Sequence, residues 1–242
     1  MAPKILVTFA LRPEGLSFER KLTRRAIKHG LTVGQLGGRE IAVFPLGVGV
    51  RNKEGFRSAV GELNPEFVVN SGFAGAVRTL LEPGDFVLAS DCSTPELSTR
   101  LLTNGLFEAQ GRFASVDEVA DAAIKERINL QGDVVAVDME SAQMAALCAD
   151  LAVPCLSAKM ISDRYDESIP DLFLGRAARR IEDLTDAIWF ASRMLVLRSN
   201  LADRLVVLIR SLSGENQEFR SSGVRSYRSS GVRTGPRSHP TQ

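Results

Sequence analysis

Two carboxylates flank a methionine in Val137-Asp138-Met139-Glu140-Ser141, directly after an apolar run and directly before an alanine-rich stretch. A second acidic junction, Lys159-Met160-Ile161-Ser162-Asp163, closes the next apolar run, and Glu14 lies shortly after the first one, Ile5-Leu6-Val7-Thr8-Phe9. An apolar run that ends in acids and passes into a helical pattern is a strand end, and open α/β sheets bind ligands there. Acids gathered at such ends suit bond breaking in a polyhydroxylated, nitrogen-containing small molecule. The two jobs are an ionised carboxylate to activate water or hold hydroxyls, and a protonated carboxyl to donate to a leaving group.

Each of these residues also has a plain structural role. Glu14 in the first turn of a helix meets the helix dipole favourably. Of Asp138 and Glu140, one suits an N-cap and the other a ligand group. Ser162 and Asp163 fit an N-cap pair equally well, and the catalytic role requires Asp163 to be protonated near neutral pH, which takes burial or nearby negative charge. Ser71-Gly72-Phe73-Ala74-Gly75 is either a tight turn or a place where backbone approaches a ligand closely. Gly47-Val48-Gly49 is either a close approach or a bulge. Neither has the spacing of a dinucleotide fingerprint or a P-loop. The two histidines, His29 and His239, end a helical pattern and lie in the C-terminal tail. A Ser/His/Asp triad and a histidine-based metal site are therefore excluded.

The elements that must position these residues alternate. Strand patterns fall at 5–9, 32–36, 41–44, 67–70, 86–89 and 153–161, with a further strand ending at Asp138. Helical patterns fall at 14–29, 52–63, 116–128, 142–151 and from Ile181 to about Leu212. Strands that are nearly all apolar belong to a sheet covered on both faces, and seven to nine strands are expected. Pro83-Gly84-Asp85 is a turn that launches the strand at 86–89. From Ser213 the composition changes to Ser, Gly and Arg, with Arg220-Ser221-Ser222-Gly223-Val224-Arg225 repeated at 228–233. A domain over 1–212 and a disordered tail over 213–242 are expected.

Composition narrows the partners. A net charge of +1 gives no electrostatic case for nucleic acid. Cys92, Cys148 and Cys155 are odd in number and widely spaced, which fits buried thiols in a reducing compartment rather than disulfides or zinc. The start of the chain lacks the pattern of a signal peptide, and no stretch offers the roughly 18 uncharged apolar residues of a transmembrane helix. The expected location is the cytoplasm. The segment from Ile188 to Ile209 is an amphipathic helix suited to an oligomer or a membrane surface.

Taken together, Ala10-Leu11-Arg12-Pro13-Glu14, Gly47-Val48-Gly49, Asn70-Ser71-Gly72-Phe73-Ala74-Gly75, Pro83-Gly84-Asp85, Val137-Asp138-Met139-Glu140-Ser141-Ala142 and Ile161-Ser162-Asp163 resemble the nucleoside phosphorylase superfamily. The resemblance is specifically to the branch of the 5′-methylthioadenosine/S-adenosylhomocysteine nucleosidases, and the likeness spans about residues 4 to 195. It implies a three-layer α/β/α sandwich around a twisted mixed sheet, a purine nucleoside as substrate, a role in purine and methionine salvage, a homodimer, and no metal or organic cofactor. It makes Glu14 the residue that activates water. Met139 and Glu140 become the grip on the ribose hydroxyls, Asp163 the acid for purine N7 aided by Ser162, and Ser71, Ala74 and Gly75 the lining of the base or ribose pocket.

The sequence departs from the superfamily's pattern in three places. Phosphorolytic members carry arginines where Thr8-Phe9-Ala10 and Asn70 stand here, which favours water as nucleophile, although Arg12 and Arg51 could still supply positive charge. The stretch from Ser90 to Phe113 is short for the nucleosidase branch, which suggests a more open pocket. The base-stacking aromatic expected just after Asp117 is replaced by Val119, with Phe73 and Phe113 as substitutes. The short middle and the Asp-Met-Glu-Ser form also resemble hopanoid-associated phosphorylase-like proteins acting on an adenosyl-lipid. Three functions are thus carried forward: adenosine-type nucleoside hydrolysis, phosphorolysis or action on an adenosyl-lipid, and non-catalytic nucleoside binding.

Overall fold

The computed structural model describes residues 4–102, 105–174 and 181–213. The elements run β1 (Lys4–Phe9), α1 (Arg12–Glu19), β2 (Thr23–Lys28), β3 (Leu31–Leu36), β4 (Arg39–Pro45), α2 (Lys53–Leu63), β5 (Phe67–Asn70), β6 (Phe73–Ala76) and β7 (Phe86–Ala89). They continue as α3 (Pro95–Leu102), β8 (Ala109–Ser115), α4 (Ala122–Leu130), β9 (Val134–Asp138), α5 (Ser141–Asp150), β10 (Cys155–Asp163) and α6 (Ile181–Leu212).

The strands form one ten-stranded mixed sheet in the order β2-β3-β4-β1-β5-β10-β6-β9-β8-β7. β10 also pairs antiparallel with β7, so β10, β6, β9, β8 and β7 close into a ring. The strands are apolar because both faces are covered. Along β1, Ile5, Val7 and Phe9 point to a core made with Phe18, Leu97 and the α6 leucines, while Leu6 points to a core made with Phe56 of α2 and Met144 and Leu147 of α5. The period-two alternation of a strand thus feeds two helical layers. The result is the expected three-layer α/β/α arrangement with a mixed sheet.

The sequence patterns at 67–70, 86–89 and 52–63 lie where these elements lie. Others shift. The helical pattern at 14–29 is cut at Glu19, and its second half is the edge strand β2, which pairs antiparallel with β3. Its apolar residues do not share one stripe: Phe18 and Leu22 are buried, whereas Ile27 sits on a strand all of whose residues are exposed. His29 and Gly30, both at positive φ, make the hairpin turn, so Gly30 closes a hairpin rather than stopping a helix. The helix expected from Val116 begins only at Ala122, because Asp121 caps it by accepting the Ile124 N–H at 2.8 Å. The glycine-rich segment after β5 is more than a turn, since Phe73–Ala76 is itself a strand between β10 and β9. The unassigned stretch after Ser90 holds α3 and β8. Cys92, Cys148 and Cys155 are buried free thiols. No helix of the described residues is long and apolar enough to cross a membrane. Apart from Ser213, the expected tail lies outside the described residues.

The C-terminal half of α6 is a clamp on the sheet, with Leu201, Leu205, Leu208, Ile209 and Leu212 all fully or almost fully buried. Leu205→Ala is expected to lower the unfolding free energy by about 2–5 kcal/mol through lost burial and a residual cavity, measured by urea denaturation.

Candidate active site

The C-terminal ends of β1, β9 and β10, the strand β6 and the connection from β8 to α4 surround one cavity of about 210 Å³. Glu14, Phe73, Ala74, Gly75, Val119, Lys125, Asp138, Met139, Glu140, Ser162 and Asp163 are among its lining residues. Seven of the eight residues singled out from the sequence therefore face one space. The eighth, Ser71, does not line it. The Ser71 hydroxyl donates to the Ala158 carbonyl at 2.8 Å, fully buried, and serves the strand pairing beneath the cavity.

Glu14 stands in the first turn of α1, and its carboxylate accepts the Leu11 N–H at 3.2 Å. Burial pushes its pKa up from the ordinary 4.5 to about 7; Lys159 opposes the rise and Glu140 adds to it. Gly72 is held at a φ of +125°, and a Cβ there would come within 3.0 Å of Glu14 Oε2. Any side chain would both strain this backbone and crowd the carboxylate.

Glu140 holds the N-cap position of α5 without a side-chain cap bond, and Asp138 takes the first turn instead, accepting the Ser141 N–H at 3.1 Å and the Ser141 hydroxyl at 2.7 Å. Glu140 Oε1 accepts the Gly49 N–H at 3.0 Å, which gives the Gly47-Val48-Gly49 turn its use. Both carboxylates converge on Lys159, at 3.3 Å and 3.5 Å. Lys159 is completely buried and also donates to the Ser71 carbonyl at 3.2 Å. Burial disfavours its charge, but Asp138, Glu140 and Glu14 together outweigh that and raise its pKa.

At the other side of the cavity, Asp163 accepts from the Ser162 hydroxyl and from Lys125, which is also buried. Burial raises the Asp163 pKa and the Lys125 ion pair holds the rise back. Sequence reasoning gave no role to Lys125 or Lys159. A lysine inside an otherwise apolar strand, as in Ala158-Lys159-Met160, was the available signal. Lys125 sits in a helical pattern that reads as solvent-facing.

Arg12 and Arg51, the arginines considered for holding phosphate, are exposed and neither lines the cavity. Asn70 is buried, accepting from Thr8 Oγ1 and donating to Ser157 Oγ at 3.1 Å. Among the described residues that line the cavity, Lys125 is the one cation. Of the two substitute aromatics, Phe73 lines the cavity and Phe113 is packed in the core.

A family model described as the phosphorylase superfamily matches residues 109–189, the span from β8 into α6. A 5′-methylthioadenosine/S-adenosylhomocysteine nucleosidase of Exiguobacterium sp. is 23% identical over 167 residues, covering 55% of this chain and 72% of the relative. The solved nucleosidase of that name from S. pneumoniae, with the transition-state inhibitor MT-ImmA, superposes with a TM-score of 0.68 at 19% identity, covering 86% of this chain and 99% of that one. A futalosine hydrolase mutant of Helicobacter pylori gives 0.67 at 20% identity, covering 89% and 100%. The chain resembles the nucleoside phosphorylase superfamily and has its fold.

The raised Glu14 pKa has a consequence for stability. A carboxyl that binds its proton more tightly folded than unfolded contributes stability below pH of about 4.5, and that contribution is lost as pH rises through about 7. Glu14→Gln removes the buried charge. Its melting temperature is expected to lie close to the native protein's at pH 4 and to exceed it at pH 8, as read by thermal scanning. An equal difference at both pH values would contradict this.

Proposed function

We propose that this chain hydrolyses the N-glycosidic bond of adenosine-type nucleosides such as 5′-methylthioadenosine or S-adenosylhomocysteine, releasing adenine. The observation that carries it is the single cavity shared by Glu14, Glu140 and Asp163, with a proton-accepting carboxylate tuned to about neutral pH in it. Breaking the bond develops positive charge on the sugar and negative charge on the base. In this reading Glu140 holds the ribose hydroxyls and favours the sugar's charge, and its contacts with Gly49 and Lys159 support that role. Asp163 donates a proton to the leaving base, and Glu14 takes one from the water whose oxygen bonds to the anomeric carbon. The bond's electron pair leaves with the base, so one water is consumed and a free sugar and a free base are formed. Water rather than phosphate as nucleophile is supported by the lack of arginine among the described lining residues. Phe73 and Val119 supply the apolar surface for the base.

Adenine release from 5′-methylthioadenosine is expected to be unchanged by adding phosphate. It should fall as pH drops below about 7, where Glu14 is protonated, and Glu14→Gln should reduce it by about 10²–10⁴-fold. Release that requires phosphate, or full activity in Glu14→Gln, would overturn the assignment.

A homodimer accompanies this proposal, as does action in salvage of purines and methionine in the cytoplasm. The support for the dimer is α6, which leaves Ile188 70% and Trp189 68% exposed beside exposed Leu195 and Val196. Light scattering should give twice the chain mass, and Ile188→Glu should shift it to a monomer.

A further inference from the structure

Lys125 is the second buried lysine, and the proposed reaction as described above gives it no task. It reaches the cavity wall from the first turn of α4, and its stem and head are 1% exposed. Its ammonium has three N–H groups and three acceptors: Asp163 Oδ2, the Arg164 carbonyl at 2.7 Å and the Glu167 carbonyl at 2.6 Å. All its protons are taken by protein, so none is left to donate to a bound molecule. The backbone of β6 makes room for the pair. Gly75 lies opposite Asp163 in the strand register, and a Cβ there would stand 2.9 Å from Lys125 Cε and 3.0 Å from Asp163 Oδ2. The same lysine ties α4 to the loop after β10, where the Ala122 N–H also donates to Ser168 Oγ at 3.2 Å. Ile169 of that loop lines the cavity.

We propose that Lys125 is a positioning residue for proton delivery: it fixes the Asp163 carboxyl against the cavity and is the counter-charge of the carboxylate that remains once the leaving base has taken the proton. The inference rests on the nucleosidase assignment. The step moves one proton from an Asp163 oxygen to a ring nitrogen while the glycosidic electron pair passes into the base. Asp163 is left as an anion in a buried site, and an ammonium already in contact with it stabilises that state more than the neutral acid. This is differential stabilisation along the reaction. The charged groups facing Asp163 are Lys125 from α4 and Glu167 from the loop after β10, and the Glu167 carboxylate is paired with Arg193 of α6. Gly75 of β6 and Val137 of β9 bring none.

The test compares the native protein with Lys125→Met on 5′-methylthioadenosine across pH. Without its counter-charge the Asp163 carboxyl holds its proton more tightly and gives it up less readily. The expected result is a kcat lower by about 10- to 100-fold, a KM changed by less than about threefold, and an alkaline limb of the kcat profile moved to higher pH. Lys125→Gln keeps a polar contact to the loop carbonyls without the charge. It carries the same expectation should the methionine variant fail to fold. A kcat within about twofold of native, or a loss that is uniform with pH and leaves the alkaline limb in place, overturns the proposal. A native protein that releases no base from any nucleoside, with or without phosphate, instead fails the nucleosidase assignment itself and the inference with it.

Discussion

One ammonium has to serve three carboxylates. Lys159, fully buried beneath the cavity, lies 3.3 Å from Asp138 and 3.5 Å from Glu140 and is felt by Glu14 as well. An ion pair at about 4 Å contributes about 4 kcal/mol at the effective dielectric of a protein site. That is of the order needed to offset the cost of burying such charges. Two close pairs are thereby accounted for, and the third carboxylate carries the surplus. Glu14 is the one farthest from compensation, so burial wins there and its proton affinity rises to about neutral pH. The same imbalance that makes the cluster costly to fold lifts the proton affinity of one member of it to about neutral pH.

The other side of the cavity runs on a different ratio, one carboxylate to one ammonium. Burial raises the Asp163 pKa and Lys125 restrains the rise. Acid–base chemistry by two carboxylates requires that their surroundings push them toward different tasks. Here the surroundings differ in the count of cations, not in the chemical type of the acids. Both ammonium groups are held by backbone carbonyls as well as by carboxylates. Their positions are therefore set by the strand ends and the loop after β10 rather than by the charges alone.

What the sequence disclosed was the part governed by local pattern. Apolar runs that end in acids marked β9 and β10 and their carboxylates, and glycines at 72 and 75 marked close approaches. Local pattern failed where tertiary pairing decided. The residues 23–28 are polar enough for a helix surface, yet they fold as an exposed edge strand because β3 offers them a partner. The pattern from Val116 to Ala120 reads as helix, whereas Asp121 caps the helix later. The resemblance puts Ser71 in the pocket lining, whereas its hydroxyl donates to the Ala158 carbonyl beneath the cavity. Lys125 and Lys159 were passed over because an isolated lysine gives no local hint that acceptors from distant segments await it. Thirty-eight residues separate Lys125 from Asp163.

β10 joins all of this. Its first residues pair with β5 and the half of the sheet that carries β1 and Glu14, and its last residues pair with β6 and the closed ring that carries Glu140. Lys159 sits between these two pairings, and Asp163 ends the strand after a register shift against β6. The span matched by the phosphorylase family model, 109–189, includes every charged member of the site except Glu14. Lys125, Asp138, Glu140, Lys159 and Asp163 thus lie within one contiguous stretch. Glu14 comes from the other half of the sheet; burial raises its proton affinity, and Lys159, on the strand the two halves share, opposes the rise. Lys159 opposes the rise that burial imposes on Glu14 across the seam between the two halves, whereas Asp163 and Lys125 are held to each other and to the adjoining loop.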